Sequence, residues 1–344
     1  MNILLTCAGR RNYIVDYFKE AVKKDGGKVY TANSIVDAAA FVPADDAFLV
    51  PEIHHPNYIK TIERICGYYQ INAIIPLFDI ELPELAKVKE DFSKQGIQIV
   101  ISSPAVINTC YDKWETYTFL NKNGFQTPKT YKNIHPLLKA VEQKQMVFPL
   151  IIKPRWGMGS IGITEVESEE ELFVFYERIK RVILQSYLKT QSEHETDEMV
   201  LFQEKLHGQE YGLDVVNDLH GKYQTTFVKR KLAMRSGETD AAVTERNDDL
   251  MALGNTLADC LGHVANLDID LFMEGESKTV IDMNPRFGGG YPFSHLAGAN
   301  LPLAIISWLN NEEPDPDCFH VQPDITGYKG ILPLMKNKTP KEYT

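Results

Sequence analysis

The sequence predicts a mixed α/β and α+β fold, opening with a Rossmann-like domain on a parallel sheet and continuing into a second part of different texture. Three observations carry this reading. Over the first hundred residues short apolar runs alternate with amphipathic stretches, the pattern of strands joined by crossover helices. From about Ser103 that alternation gives way to helices, turns and glycine-rich joints. The chain of 344 residues is also longer than one hydrophobic core usually serves, so two or three domains are expected.

Taken in order, runs 2–6, 28–32, 47–50, 73–76 and 97–101 have the length and apolar content of buried strands, while 11–24, 58–70 and 80–95 repeat apolar residues at helical spacing. The first run ends in Thr6-Cys7-Ala8-Gly9-Arg10-Arg11, a glycine turn opening a helix. A dinucleotide fingerprint needs three glycines there and only Gly9 is present, which argues against NAD. Arg10 and Arg11 either meet an anion at that helix start or are simply solvated. Asp79 and Glu81 follow the strand at 73–76, where they either touch substrate at the sheet's carboxyl edge or charge a helix N-terminus.

Further on, 104–110 and 113–121 read as helices, the second capped by Asp112 and ended by Gly124. A strand near 129–131, a helix near 137–144 and an apolar run at 148–152 lead into Lys153, and 163–166 reads as another strand. Residues 185–198 are polar and acidic, a surface connection. Strand 199–206 and segment 208–216 follow, and 233–247, polar around Gly237, reads as a substrate-closing loop or a disordered one.

A net charge of -11 argues against nucleic-acid or anionic-membrane partners, which need a basic surface. The five cysteines form no CxxC pair, so a reduced, cytoplasmic setting is the simplest reading. No stretch approaches the roughly 18 apolar residues of a membrane span. His54 and His55 lack partner acids at metal spacing and stay ordinary turn residues.

The most informative feature is Asp282-Met283-Asn284-Pro285-Arg286, at a strand end before Gly288-Gly289-Gly290. Acid, amide oxygen and guanidinium so close together suit a hard divalent cation and the phosphates it bridges. Alone, the run is equally well a strand end entering a polar turn. A second motif, Lys153-Pro154-Arg155-Trp156-Gly157-Met158-Gly159-Ser160-Ile161-Gly162, places a lysine and a GxGxxG between two strands. A dinucleotide loop would lead into a helix, so this one reads as a hairpin laying backbone N–H groups over phosphates, or else as a mobile surface hairpin. Glu204 and Glu210 flank a turn at a strand end, where one could meet a base and the other a ribose hydroxyl, although acidic turns are common.

With Lys113, Lys153, the glycine loop, Glu204, Glu210, Asp270 and the Asp282 to Arg286 cluster in that order, the chain resembles the ATP-grasp superfamily. It is most like the carbamoyl-phosphate synthase large-subunit type and the stand-alone amino-acid ligases. The resemblance implies a pre-ATP-grasp domain at 1–103, a small lid subdomain at 104–190 and a C-terminal subdomain with the metal and phosphoryl site at 191–344. It implies ATP with Mg²⁺ or Mn²⁺ as cofactors. Lys113 and Lys153 would contact phosphates beneath a lid of Gly157, Gly159, Ser160 and Gly162. Glu204, Lys205 and Leu206 would read adenine, and Glu210 the ribose. Asp270, Asp282 and Asn284 would hold metal, Arg286 would stabilise the transferring phosphoryl group with Lys153, and Lys229, Arg230, Lys231, Arg235, Gly288 and Gly289 would approach phosphate or the substrate carboxylate. The family most often has Glu at the position of Asp282, and often Glu or Gln at that of Asp270. Aspartate reaches one methylene less and still offers hard anionic oxygens.

The activity so implied is a ligase that joins a small carboxylate to an amine through an acyl-phosphate, with a homodimer as the candidate assembly. Two other readings stay open: a phosphotransferase acting as half of a carbamoyl-phosphate synthase, and a nucleotide-binding protein without turnover.

Overall fold

The computed structural model describes residues 1–157, 161–192, 195–235, 237–336 and 339–343. Its first layer forms where the alternation places it. Strands β1 (Asn2–Thr6), β2 (Lys28–Asn33), β3 (Asp46–Leu49), β4 (Ala73–Pro76) and β5 (Gln98–Ile99) lie parallel in the order β3-β2-β1-β4-β5. Helices α1 (Asn12–Lys23), α2 (Tyr58–Tyr69) and α3 (Leu82–Lys94) bury their apolar stripes on this sheet, Phe18, Ile62, Ile65 and Leu85 being fully enclosed. The chain direction across the sheet reverses between β1 and β4, and ligands of open α/β sheets sit outside such a reversal. Arg11 follows β1 and Asp79 follows β4, so both stand at this crevice.

Helices α4 (Pro104–Tyr111) and α5 (Lys113–Lys122) come next. Ser103 caps the first by accepting from the Val106 N–H, and Asp112 caps the second through Trp114. A small antiparallel sheet then combines β6 (Thr130–Tyr131), β7 (Leu150–Pro154), β8 (Thr164–Val166) and β9 (Val200–Glu204) in the order β6-β9-β7-β8. Helices α6 (Ile134–Glu142), α7 (Glu169–Leu184) and α8 (Lys189–Ser192) accompany it. Because β9 pairs with β7, this sheet draws on residues on both sides of position 190. The 185–198 stretch, expected to be a plain surface connection, contains α8 and sends Glu195 and Glu198 to the Arg155 guanidinium.

The large sheet is antiparallel, in the order β14-β13-β10-β11-β12-β15. It comprises β10 (Gln209–Asn217), β11 (Tyr223–Arg235), β12 (Glu238–Glu245), β13 (Asn266–Glu274), β14 (Ser277–Asn284) and β15 (Thr326–Tyr328), with α9 (Asp248–Leu261) packed on one face. Residues 233–247, read as a loop, are largely a hairpin: β11 and β12 stay paired from Val228↔Glu245 to Arg235↔Glu238. The polar composition hid β-branched Thr239, Val243 and Thr244, which suit a strand and are buried there. Helices α10 (Tyr291–Leu296) and α11 (Leu301–Leu309) bring the chain back to the first layer, and β16 (Lys341–Glu342) pairs with β3. No helix among the described residues is long and apolar enough to cross a membrane.

One hydrophobic cluster spans the two ends of the chain. Ile3 and Leu5 of β1 and Phe18 of α1 share it with Phe287, Leu301 and Ile305. Replacing Ile305 with alanine is expected to cost about 2 to 5 kcal/mol, as buried large-to-small changes do. Urea unfolding checks this, and a loss under about 1 kcal/mol would show that the α1–α11 seam is not a shared core.

Candidate active site

Strand alternation builds the site on one face of the large sheet. Tyr211, Leu213 and Val215 of β10, Val228 of β11, and Leu267, Ile269 and Leu271 of β13 point into the core beneath α9. Glu210, Gly212, Asp214, Lys229, Lys231, Asp268 and Asp270 therefore share the opposite face. On β14 the parity changes. Asp270 is paired with Asp282 but Leu271 with Val280, so Ile281 is the extra residue of a bulge. Val280 consequently enters the core while Asp282, two residues later, lines the cleft.

Two carboxylates directly opposite on adjacent strands repel unless cations lie between them. Here lysines supply that charge. The Lys231 ammonium lies 2.6 Å from Asp270 Oδ1 and 2.7 Å from Glu210 Oε1. The Lys113 ammonium lies 3.2 Å from Asp282 Oδ1 and donates to the Gly157 carbonyl at 2.9 Å. Gly212 has no side chain where these groups converge: a Cβ there would sit 3.4 Å from Lys231 Cε and 3.9 Å from Asp270 Oδ1.

Charge balance sets the protonation of each group. Burial would raise the Asp282 carboxyl, but Lys113 and Lys153 outweigh it and hold it below the ordinary range. Lys153, buried at the end of β7, is pulled down to about 8 by desolvation and by Lys113, with Asp282 and Asp270 only partly compensating. Asp268 is pushed up to about 6 by burial and by Asp270, against the pull of Arg286. Lys231 is raised despite burial because Asp270 and Glu210 hold its charged form.

Arg286 is fixed from two domains. Its Nε and Nη2 donate to Asp79 Oδ2 at 3.1 and 2.9 Å, and its Nη1 donates to Asp268 Oδ2 at 3.1 Å. This buried fork explains Gly288: a Cβ there would come within 2.0 Å of the Asp268 carboxyl carbon. Arg11 stands nearby and donates to the Leu77 and Phe287 carbonyls at 2.6 and 3.2 Å.

A cleft of about 200 Å³ thus unites Lys113, Lys153, Gly157, Glu210, Lys231, Asp270, Asp282, Asn284, Arg286 and Gly289 among its lining residues. Gly159 and Ser160 lie outside the described residues. Gly162, Glu204, Lys205, Leu206, Arg235 and Gly288 do not line this cleft. Glu204 instead accepts the Lys129 N–H at 2.7 Å, Lys205 pairs with Glu165 at 2.7 Å, and Arg235 with Asp240 at 2.5 Å. Arg230 pairs with Glu245. Lys229, expected to meet phosphate or a carboxylate ligand, is buried against Asp214 and Ser294. Of the two acids after β4, Asp79 clamps Arg286. Glu81 is enclosed, accepting from Tyr58 at 2.5 Å and Thr6 at 2.9 Å, and burial raises it to about 7. Sequence reasoning missed Asp268 and Glu238. Asp268 was legible, since it precedes Asp270 by one strand period; Glu238 carried no local signal.

The donor set fits a hard cation. Asp270 and Asp282 face each other with Asn284 two residues on, and their carboxylates are already in contact with positive charge from Lys231 and Lys113. Among the described residues no three or more His, Cys, Asp or Glu side chains form a ready metal cage. The two opposed aspartates with an amide oxygen beside them suit Mg²⁺, which is usually held by one or two carboxylates and completes its shell with water and substrate phosphate.

Comparison with known proteins agrees with this geometry. A family model described as an ATP-grasp domain matches residues 110–290, more than half the chain. The chain belongs to the ATP-grasp domain family. A model described as a PylC-like N-terminal domain matches residues 3–100. Among solved structures, the chain is similar to biotin carboxylase from Campylobacter jejuni (TM-score 0.73, 16% identity, 93% of this chain and 73% of that one). It is likewise similar to an L-amino acid ligase from Bacillus licheniformis (0.67, 17%, 94% and 78%) and to pyruvate carboxylase from Rhizobium etli (0.72, 16%, 93% and 30%). It therefore spans under a third of that carboxylase. At these identities the likeness is one of fold.

Lys153 gives a pH prediction. An anionic phosphate favours the ammonium, and in the free protein that ammonium titrates near 8 rather than at 10.5. Affinity for a non-hydrolysable ATP analogue should be flat below this value and fall above it by up to about tenfold per pH unit. Stability has the opposite sign, since a depressed lysine destabilises the fold while it is charged and ceases to do so as pH rises past about 8. Lys153→Arg, whose charge does not titrate in this range, should flatten the binding profile; an unchanged slope in that variant would assign the titration elsewhere.

Proposed function

We propose that this protein is an ATP-dependent carboxylate–amine ligase that works through an acyl-phosphate on amino-acid-like substrates. The observation that carries the reading is the convergence of Lys113, Lys153, Lys231 and Arg286 with the opposed Asp270 and Asp282 in one cleft. The chemistry matching such a set is phosphoryl transfer, in which positioning and charge stabilisation suffice and the protein supplies no covalent nucleophile. The likeness to an L-amino acid ligase supports amino-acid-like substrates.

In this scheme Lys113 and Lys153 position the triphosphate, and Asp270, Asp282 and Asn284 would hold Mg²⁺, which would supply charge neutralisation for the phosphoryl transfer. Lys113 then exchanges its contact with Asp282 for one with phosphate. A substrate carboxylate oxygen attacks the γ-phosphorus; the new O–P bond forms as the bond to the ADP oxygen breaks, and ADP leaves with that electron pair. Arg286, already immobilised by Asp79 and Asp268, stabilises the charge developing on the phosphoryl oxygens without reorganising. The amine nitrogen next attacks the acyl carbon. A C–N bond forms, the C–O bond to phosphate breaks, and phosphate departs while the amine proton passes to it or to water. Trp156 and Gly157 wall the cleft and limit hydrolysis of the intermediate.

A matrix of amino-acid pairs, read by phosphate release, tests this. Release that needs both a carboxylate and an amine is the expected result. Release driven by bicarbonate alone, or nucleotide binding with no turnover across the matrix, would overturn the proposal. Lys153→Ala and Asp282→Ala should each lower substrate-dependent ATP hydrolysis by about 10²-fold or more while the circular-dichroism spectrum is retained. Wild-type turnover in both variants would remove these residues from the site.

A further inference from the structure

A cavity larger than the phosphate cleft lies beside it. This second chamber, of about 840 Å³, lies between the start of α1, the loop after β2, the β11–β12 hairpin and the chain segment after β15. Glu238 and Thr239 line both spaces, so the two meet at the beginning of β12. Gly289 marks the same junction: a Cβ there would be 3.6 Å from both Glu238 Cγ and Lys329 Nζ.

The chamber has two kinds of wall. Val36, Phe41, Val42, Ile331, Leu332 and Leu334 make it apolar along much of its length. Its charged residues are mostly paired with one another: Arg235 with Asp240, Lys329 with Glu238 at 3.3 Å, and Lys336 with Asp37 at 2.9 Å. Those pairs use all three lining acids. Arg10 forms no close ion pair among the described residues and reaches Glu238 only through longer-range charge. The two cations at the throat are largely buried. Lys329 lies below the ordinary lysine value because burial costs more than Glu238 and Asp240 restore, and Arg11 opposes it as well. Arg11 is lowered by burial and by Arg286.

We propose that this chamber binds the amine substrate, and that the substrate is an amphipathic amine bearing a carboxylate. The inference rests on the ligase reading above and names the class of its second substrate. The carboxylate meets Arg10 and Lys329, and the apolar body lies against Phe41, Val42 and Leu332. The amino group, directed by the Glu238 carboxylate at the throat, points toward the cleft where Arg286 stands. An ordinary amino-acid zwitterion supplies both charges of this arrangement, exchanging the Lys329–Glu238 ion pair for one contact with each partner. A chamber of 840 Å³ also leaves room for side chains as large as that of tryptophan.

The test is calorimetric binding to the full-length protein in the presence of a non-hydrolysable ATP analogue and Mg²⁺. The probes are leucine, phenylalanine and tryptophan, with phenethylamine and 3-phenylpropionate as analogues lacking the carboxylate or the amine. At least one amino acid should bind saturably, and more tightly than either analogue by about tenfold or more. Arg10→Ala should weaken that amino acid by a similar factor and leave phenethylamine and the nucleotide unchanged. Glu238→Gln should weaken the amino acid and phenethylamine while sparing 3-phenylpropionate. Nucleotide binding with no saturable amino-acid binding, or amino-acid affinity indifferent to Arg10→Ala, overturns the chamber assignment and leaves the ligase reading standing. Loss of nucleotide binding in the wild-type protein defeats the ligase reading itself.

Discussion

Everything at the site depends on holding two aspartates face to face. Asp270 and Asp282 occupy directly opposed positions on β13 and β14, an arrangement that like charges resist. Lys231 and Lys113 make it tolerable, and they come from different parts of the chain. Lys231 belongs to the same sheet. Lys113 opens α5, and its backbone N–H donates to the carbonyl of Arg155, which ties it to the strand carrying Lys153. Arg155 is itself buried and bound to Asp112, Glu195 and Glu198, so the two cleft-lining lysines are braced by an ionic network outside the cleft. The shorter reach of aspartate is compatible with this design, because direct cross-strand opposition brings the two carboxylates close without a longer side chain.

Arg286 extends the same logic across the domain boundary. Its guanidinium bonds Asp79 of the first layer and Asp268 of the large sheet, and the cluster containing Phe18, Phe287 and Ile305 packs directly behind it. The N-terminal domain therefore helps to build the cleft. Its β1–β4 crevice contributes Arg11 to the lining and Asp79 as the anchor of Arg286, and the turn before α1 contributes Arg10 to the chamber beyond. A preorganised cation of this kind stabilises developing charge without a reorganisation cost.

Much of the fold was legible because its signals are local. Helical and strand periodicity located most elements of the first layer to within a few residues, and caps such as Asp112 marked helix starts. Asp282, Asn284 and Arg286 of one run and Lys153 and Gly157 of the other, singled out in the sequence, do line one cleft. Other readings failed where composition misled. The 233–247 stretch looked like a loop because its alternating residues are polar or small, yet it holds the end of β11 and the whole of β12, which pair with each other. Lys229 and Lys231 share a sequence neighbourhood and a sheet face, but Asp214 and Ser294 enclose one while Asp270 and Glu210 present the other to the cleft.

The sequence by itself determined which chemical groups are present, their order along the chain and, through strand alternation, that Asp268 and Asp270 share a face. Tertiary structure alone decided which of them meet. Strict alternation would have placed Asp282 on the same side as Val280, in the core; the bulge at Ile281 reverses that parity and delivers the carboxylate to the cleft. Asp79 and Arg286 are separated by 207 residues and are joined only by packing between the layers. Register and long-range packing depend on the whole chain, and no local pattern encodes them.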